Sequence, residues 1–241
     1  MTEPRILVIT PSRGRPDRLA YMLQETLETS GPGTHVAVCI DDDDPELAGY
    51  DGLAASLQRT GRVFWLRGPR RNLVSWTNYV VHWPRAARYP YLASLGDDHV
   101  PRTHGWDEQL TDAIEAGGGT GIAYGDDKHQ HEALPTAPVI SRDITDALGW
   151  MMHPGLASKF CDDVWRVISE LAGCRFYVPE VIIEHVHPDA GKAARDLTYE
   201  QGHADYPADR AVFDNWQGSA AVMRDVKIVK GVMYHAYAER L

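Results

Sequence analysis

The sequence predicts an α/β protein whose mostly parallel central sheet is flanked by helices on both faces. Three observations carry this reading. Short β-branched apolar runs alternate with stretches of helical period, the links between them are short, and each of the first four runs ends in a polar cluster. Ligands of such sheets bind beyond the carboxyl ends of the strands, where those clusters would converge.

Ile6 to Ile9 reads as the first strand, followed by the loop Thr10-Pro11-Ser12-Arg13-Gly14-Arg15-Pro16 and a helix with apolar positions Leu19, Met22, Leu23 and Leu27. Val36 to Ile40 is a second buried strand and ends in Asp41-Asp42-Asp43-Asp44-Pro45. Val63 to Leu66 is a third and ends in Arg67-Gly68-Pro69-Arg70-Arg71-Asn72. Leu53 to Leu57 and Leu73 to Trp83 read as the intervening helices. The fourth strand, from Tyr91 to Leu95, runs into Gly96-Asp97-Asp98-His99. Beyond it, Trp106 to Ile114 reads as a helix broken by Gly117-Gly118-Gly119, and Gly121 to Tyr124 as a strand. Pro135 to Trp150 shows no clear period. Asp162 to Ala172 reads as a helix, Arg175 to Val178 and Val181 to Ile183 as two strands bracketing Pro179, and the chain from about Asp209 as a largely helical tail. With no internal repeat or linker in 241 residues, one domain is the economical reading.

A net charge of −10 counts against a surface that grips duplex nucleic acid by general electrostatics. The three cysteines, Cys39, Cys161 and Cys174, show no metal-type spacing and fit reduced thiols. No leader and no membrane-length apolar run is evident, so a cytoplasmic protein without a membrane span is expected.

Four clusters carry candidate chemistry. Asp97-Asp98-His99 crowds acids at a strand end, which is costly unless a cation sits between them; a divalent metal bridging a diphosphate fits, through hard oxygen ligands. Asp41 to Asp44 offers carboxylates that accept from a base N–H or ribose hydroxyls. In Glu184-His185-Val186-His187-Pro188, residues two apart share a face, so His185 and His187 are candidate metal ligands. Asp162 and Asp163 stand at a helix start, where acids also serve as caps; one of them is a candidate general base. Arg13, Arg15 and Arg71 are candidate diphosphate contacts. Trp106, Trp150 and His153 are candidates for the acceptor side, with core packing the favoured assignment.

From residue 5 to about 188, the order of these clusters resembles the GT-A glycosyltransferases, above all their inverting family 2-like branch. The loop from Thr10 to Pro16, with Pro11, Ser12, Arg13 and Arg15, is similar to their first nucleotide-contacting loop. Asp41-Asp42 is similar to the acid pair ending the second strand, and Asn72 and Asn78 to the asparagine segment before the metal motif. Gly96-Asp97-Asp98-His99 resembles that motif, usually Asp-any-Asp. The match allows two readings: Asp97 as ribose contact with Asp98 as ligand, or an Asp-any-His variant of Asp97 and His99. Asp162-Asp163 stands where the family has Glu-Asp, which favours Asp163 as base, and Val178 to His185 resembles the strand whose final histidine completes metal coordination.

The resemblance implies a GT-A (Rossmann-like) fold with a nucleotide-binding half over about 1–100, an acceptor and catalytic half over about 101–188, and a C-terminal segment over about 189–241. Within that segment, Gly191-Lys192 and Asp196 to Tyr199 are candidates for a mobile piece folding over the donor. It further implies a nucleoside-diphosphate sugar donor, with uracil as the base, a Mn2+ or Mg2+ cofactor, and an acceptor hydroxyl on a glycan, a small metabolite or hydroxymethylated DNA. A nucleotidyltransferase is disfavoured because the first loop holds only Gly14. A silent sugar-binding module is disfavoured by the retained Asp163, a zinc hydrolase by the lack of a third ligand, and a Rossmann oxidoreductase by the missing spaced glycines.

Overall fold

The computed structural model describes residues 3–186 and 197–238. Its first half is a parallel array. β1 (Ile6–Pro11) pairs with β2 (Thr34–Asp41) on one side and β4 (Tyr91–Ser94) on the other, and β2 pairs with β3 (Val63–Gly68). The crossovers are α1 (Pro16–Thr29), α2 (Leu47–Leu57) and α3 (Leu73–Val81). Pro16 opens α1, where its missing N–H costs nothing, and Asn72 caps α3 by accepting from Ser75 N at 2.8 Å.

The second half comprises β5 (His99–Pro101), α4 (Trp106–Ala116), β6 (Ile122–Asp126), β7 (Val139–Ser141), α5 (Arg142–Leu148), α6 (Cys161–Ala172), β8 (Arg175–His185), α7 (Leu197–Gln217) and α8 (Ala220–Ala238). The eight strands run in the order β3-β2-β1-β4-β7-β6-β8-β5. β7 is antiparallel to both β4 and β6, β6 is parallel to β8, and β5 is antiparallel to β8.

Ile6 to Ile9 are wholly buried and alternate between two cores. Leu7 and Ile9 join Trp76, Val80 and Trp165, together with Val222, Val226 and Val229 of α8. Ile6 and Val8 join Leu19, Met22, Leu23 and Trp106. The C-terminal α8 therefore covers the sheet rather than trailing from it, packing on α5 and α6. No helix among the described residues is long and apolar enough to cross a membrane.

Asp107, in the first turn of α4, ties that helix to the entry of β2. Its buried Oδ2 accepts from Gly31 N at 2.9 Å and Thr34 Oγ1 at 2.6 Å. Asp107→Ala strands both donors and is expected to cost about 1–3 kcal/mol, read as a lower urea midpoint.

Six elements differ from the sequence expectation. α2 begins at Leu47 rather than Leu53, and α7 begins at Leu197, well before Asp209. The unassigned Pro135 to Trp150 stretch contains β7 and α5, too short for a period to show. The two strands expected around Pro179 are one strand, β8, in which the partner of Val178 is Gly125 and that of Ile182 is Asp126. Pro179 sits in the resulting bulge, where no ladder N–H is required of it. β5, three residues long and starting at His99, was not expected at all.

Candidate active site

A cavity of about 380 Å³ opens at the carboxyl ends of β1, β2 and β4. Pro11, Ser12, Arg13, Arg15, Asp41, Asn72, Asp97 and Asp98, all singled out in the sequence, line it. Asp42, by contrast, is exposed and outside the lining, and its backbone N–H donates to Gly68 O. Asn78 serves the framework: its side chain accepts from Met151 N and Met152 N and donates to Met152 O. Trp106 is fully buried core, and Trp150 and His153 belong to an aromatic cluster with Trp165 and Trp216. This matches the favoured core assignment.

Asp41 is a strut. Its Oδ1 accepts from Trp76 Nε1 at 2.7 Å and Arg71 N at 3.0 Å, and its Oδ2 from Arg13 Nη1 at 3.0 Å. Arg71 stacks between Trp76 and Tyr79, with its guanidinium 4.6 and 4.7 Å from the two ring centres. Asp97 is equally committed, accepting from Ser12 Oγ at 2.7 Å and Arg15 Nη1 at 3.1 Å, while Tyr50 Oη accepts from Arg15 N. Burial, then the neighbouring Asp98, pushes the Asp97 carboxyl upward, against the pull of Arg15 and Ser12.

The next side chain faces a different set of groups. Antiparallel pairing of β5 with β8 places His99 directly opposite His185, and the two rings stack with centres 4.1 Å apart. Asp98 lies at their edge, with Oδ1 3.3 Å from His99 Nδ1 and Oδ2 3.6 Å from His185 Nε2. Burial alone would raise the Asp98 carboxyl, but the neighbouring His185 and His99 imidazoles hold it well below the usual range. The backbone fixes the trio: His185 N donates to Asp127 O, Val186 N donates to Asp98 O, and Gly96 N donates to His99 Nδ1. Gly96 is required here, since a Cβ would stand 2.7 Å from Asp98 Oδ1 and 3.0 Å from His99 Nδ1.

Ligand atoms of Asp98, His99 and His185 all lie within 4.8 Å of one another, and His99 Nε2 is buried without a hydrogen-bond partner among the described residues. One carboxylate, two imidazoles and an orphaned nitrogen fit a divalent transition metal, and suit Mn2+ better than Mg2+, which prefers an all-oxygen shell. His187, the alternative ligand, lies outside the described residues, as do Gly191, Lys192 and Asp196.

The two acids opening α6 divide. Asp163 is about one-third exposed and pairs with Arg166 at 3.6 Å. At Asp162, burial pushes the carboxyl up to about 7, against the charge of His185, with Asp163 and Asp127 adding to the rise. The loop before α6 also brings Ser158 and Lys159 to the cavity wall, beside Gly202 and Asp205 of α7.

No protein-family model matches this sequence, and neither does any curated protein. Solved structures do match. A mannosyltransferase, PcManGT from Pyrobaculum calidifontis, in complex with GDP-Man and Mn2+, superposes with a TM-score of 0.59 at 11% identity, over 99% of this chain and 75% of that one. The chain has the GT-A glycosyltransferase fold. S. aureus TarS matches as well, with a TM-score of 0.54 at 10% identity over 75% of this chain and 60% of the 1–349 fragment. For another TarS structure the TM-score is 0.56 over 76% of this chain and 37% of that one.

Within this GT-A frame the sequence missed Trp76, Ser158, Lys159, Gly202 and Asp205. Trp76 reads as one more apolar residue of an amphipathic helix, and nothing local marks its indole N–H as the partner of Asp41. The others come from a loop and a helix about 40 residues apart, which only the tertiary fold joins.

Proposed function

We propose that the protein transfers a glycosyl group from a nucleoside-diphosphate sugar to an acceptor hydroxyl, with inversion. The observation that carries the proposal is the convergence of Asp98, His99 and His185 beside a cavity that Asp98 lines, at the carboxyl edge of the sheet where such donors bind. Asp98, His99 and His185 would hold a divalent cation, which when bound supplies Lewis-acid charge to the leaving diphosphate. Arg13, Arg70 and Arg71 add positive charge along the cavity. Asp162 takes the proton of the acceptor hydroxyl as its oxygen attacks the anomeric carbon; Asp163, favoured by sequence order, is turned away to Arg166. The whole chain acts as one catalytic domain, and its three buried free thiols suit a reducing cytoplasm.

For the donor base, the uracil implied by resemblance requires an acceptor for its N3–H. Asp41 is buried and already accepts three hydrogen bonds, whereas the Arg71 guanidinium, held against Trp76 and Tyr79, presents donors to the cavity. Guanine, with its adjacent O6 and N7 acceptors, suits such a lining better. The test is nucleoside-diphosphate release from a panel of GDP-, UDP-, ADP- and CDP-sugars with Mn2+, Mg2+ or chelator. Metal-dependent release from one donor is expected and would justify an acceptor screen of glycans, small metabolites and hydroxymethylated DNA. Neither release nor binding of any donor would sink the proposal.

A further inference from the structure

Lys159 is a lysine that the donor site described so far does not use. Its half-buried side chain lines the same cavity as Gly96, Asp97 and Asp98, and no hydrogen bond or ion pair of its ammonium occurs among the described residues. Two features of α7, more than 40 residues later, hold it there. The buried Asp209 carboxylate accepts from three successive backbone N–H groups, Ala157 at 2.8 Å, Ser158 at 2.9 Å and Lys159 at 2.7 Å. Gly202 leaves room for the side chain, since a Cβ there would stand 3.1 Å from Lys159 Nζ and 3.2 Å from Cε.

A loop pinned by a buried carboxylate and a helix notched by a glycine fix the path of one flexible cation into a cavity that also presents carboxylates. A lysine free to pair would swing to Asp205, which lines the same wall and instead accepts from Ser158 Oγ at 3.3 Å. We propose that Lys159 is a catalytic residue that donates hydrogen bonds to the β-phosphate of the donor within the cavity that Asp98 also lines. As the anomeric carbon–oxygen bond breaks, its electron pair stays on the β-phosphate oxygen. Lys159 stabilises that charge without giving up its proton, while the acceptor proton goes to Asp162. Asp209 and Gly202 are positioning residues. This rests on the glycosyl-transfer reading and names a contact within that site.

The experiment compares native protein, Lys159→Met, Lys159→Arg and Gly202→Ala, titrated calorimetrically with nucleoside diphosphates and monophosphates (GDP, GMP, UDP, UMP) in chelator, and assayed for donor turnover. Lys159→Met is expected to lose about tenfold in diphosphate affinity, one charge-assisted hydrogen bond, with monophosphate affinity unchanged and kcat lowered at least as much. Lys159→Arg should recover part of both. Gly202→Ala should weaken diphosphate binding severalfold while Tm holds or rises, because alanine is the better helix former. A merely structural role for either residue would not separate diphosphate from monophosphate. Native-like diphosphate affinity and kcat in Lys159→Met would overturn the inference and leave glycosyl transfer standing. Failure of the native protein to bind any of the four nucleotides, in chelator and with Mn2+ alike, would overturn both.

Discussion

Asp98→Ala is expected to lower metal-dependent donor turnover by about 10³-fold and to abolish Mn2+ binding measured by calorimetry or electron paramagnetic resonance. Asp98 is the one carboxylate of the trio and lies within 3.6 Å of both imidazoles. Without it, two neutral rings face a cation with no negative charge to offset its dehydration. The loss corresponds to the several kcal/mol that Lewis-acid stabilisation of a leaving group supplies. Asp97 cannot stand in, because both its oxygens are engaged by Ser12 and Arg15 on the far side of the turn. A variant that still binds Mn2+ with native affinity would show that the cation sits elsewhere.

The second large effect is that of Asp162→Asn, expected to reduce kcat by about 10²- to 10⁴-fold, the range for a lost general base. The pH profile gives the sharper reading. Asp162 accepts a proton only when ionised, and burial sets its carboxyl at about 7 in the protein without a cation. The rate should therefore rise with pH through that region and level off above it. A cation beside His185 would favour the ionised form and move the midpoint down. Asp162→Asn should flatten the profile, whereas Asp163→Asn, exposed and paired with Arg166, should keep both the profile and most of the rate. The opposite pattern would return the role to Asp163.

What the sequence disclosed followed local rules. The parallel half of the sheet was legible because strands buried on both faces read as continuous apolar runs, and because polar residues after each run mark the carboxyl edge. That logic brought Ser12, Arg15, Asp41, Asp97 and Asp98 to one cavity before any coordinates. It failed where partners are distant. His99 could not be separated from Asp97 as a ligand without knowing that a three-residue strand pairs it with His185. Asp162 and Asp163 are the same residue type at the same helix start, and only the surroundings of α6 show that one carboxyl is pushed up to about 7 while the other pairs with Arg166. The commitment of Asp41 to Trp76 and Arg71 lies equally beyond local pattern, since its cause is the packing of α3 against β2.

The bulge in β8 carries one more consequence. From Val178↔Gly125 to Ile182↔Asp126 the pairing offset changes from 53 to 56, so three additional residues are spliced into one edge of the ladder. An odd insertion inverts the alternation of every residue after it, and so decides which side of the sheet His185 is presented on. The strand has two phases, and the bulge is where it passes from one to the other. Loss or gain of a single residue at Pro179-Glu180-Val181 would make the insertion even and present the terminal imidazole on the wrong side. Changes in pairs would preserve the parity. Outside the cavity lining, this stretch is intolerant of how many residues it holds, whereas the exposed Pro179 and Glu180 side chains can vary more freely than the buried Val181.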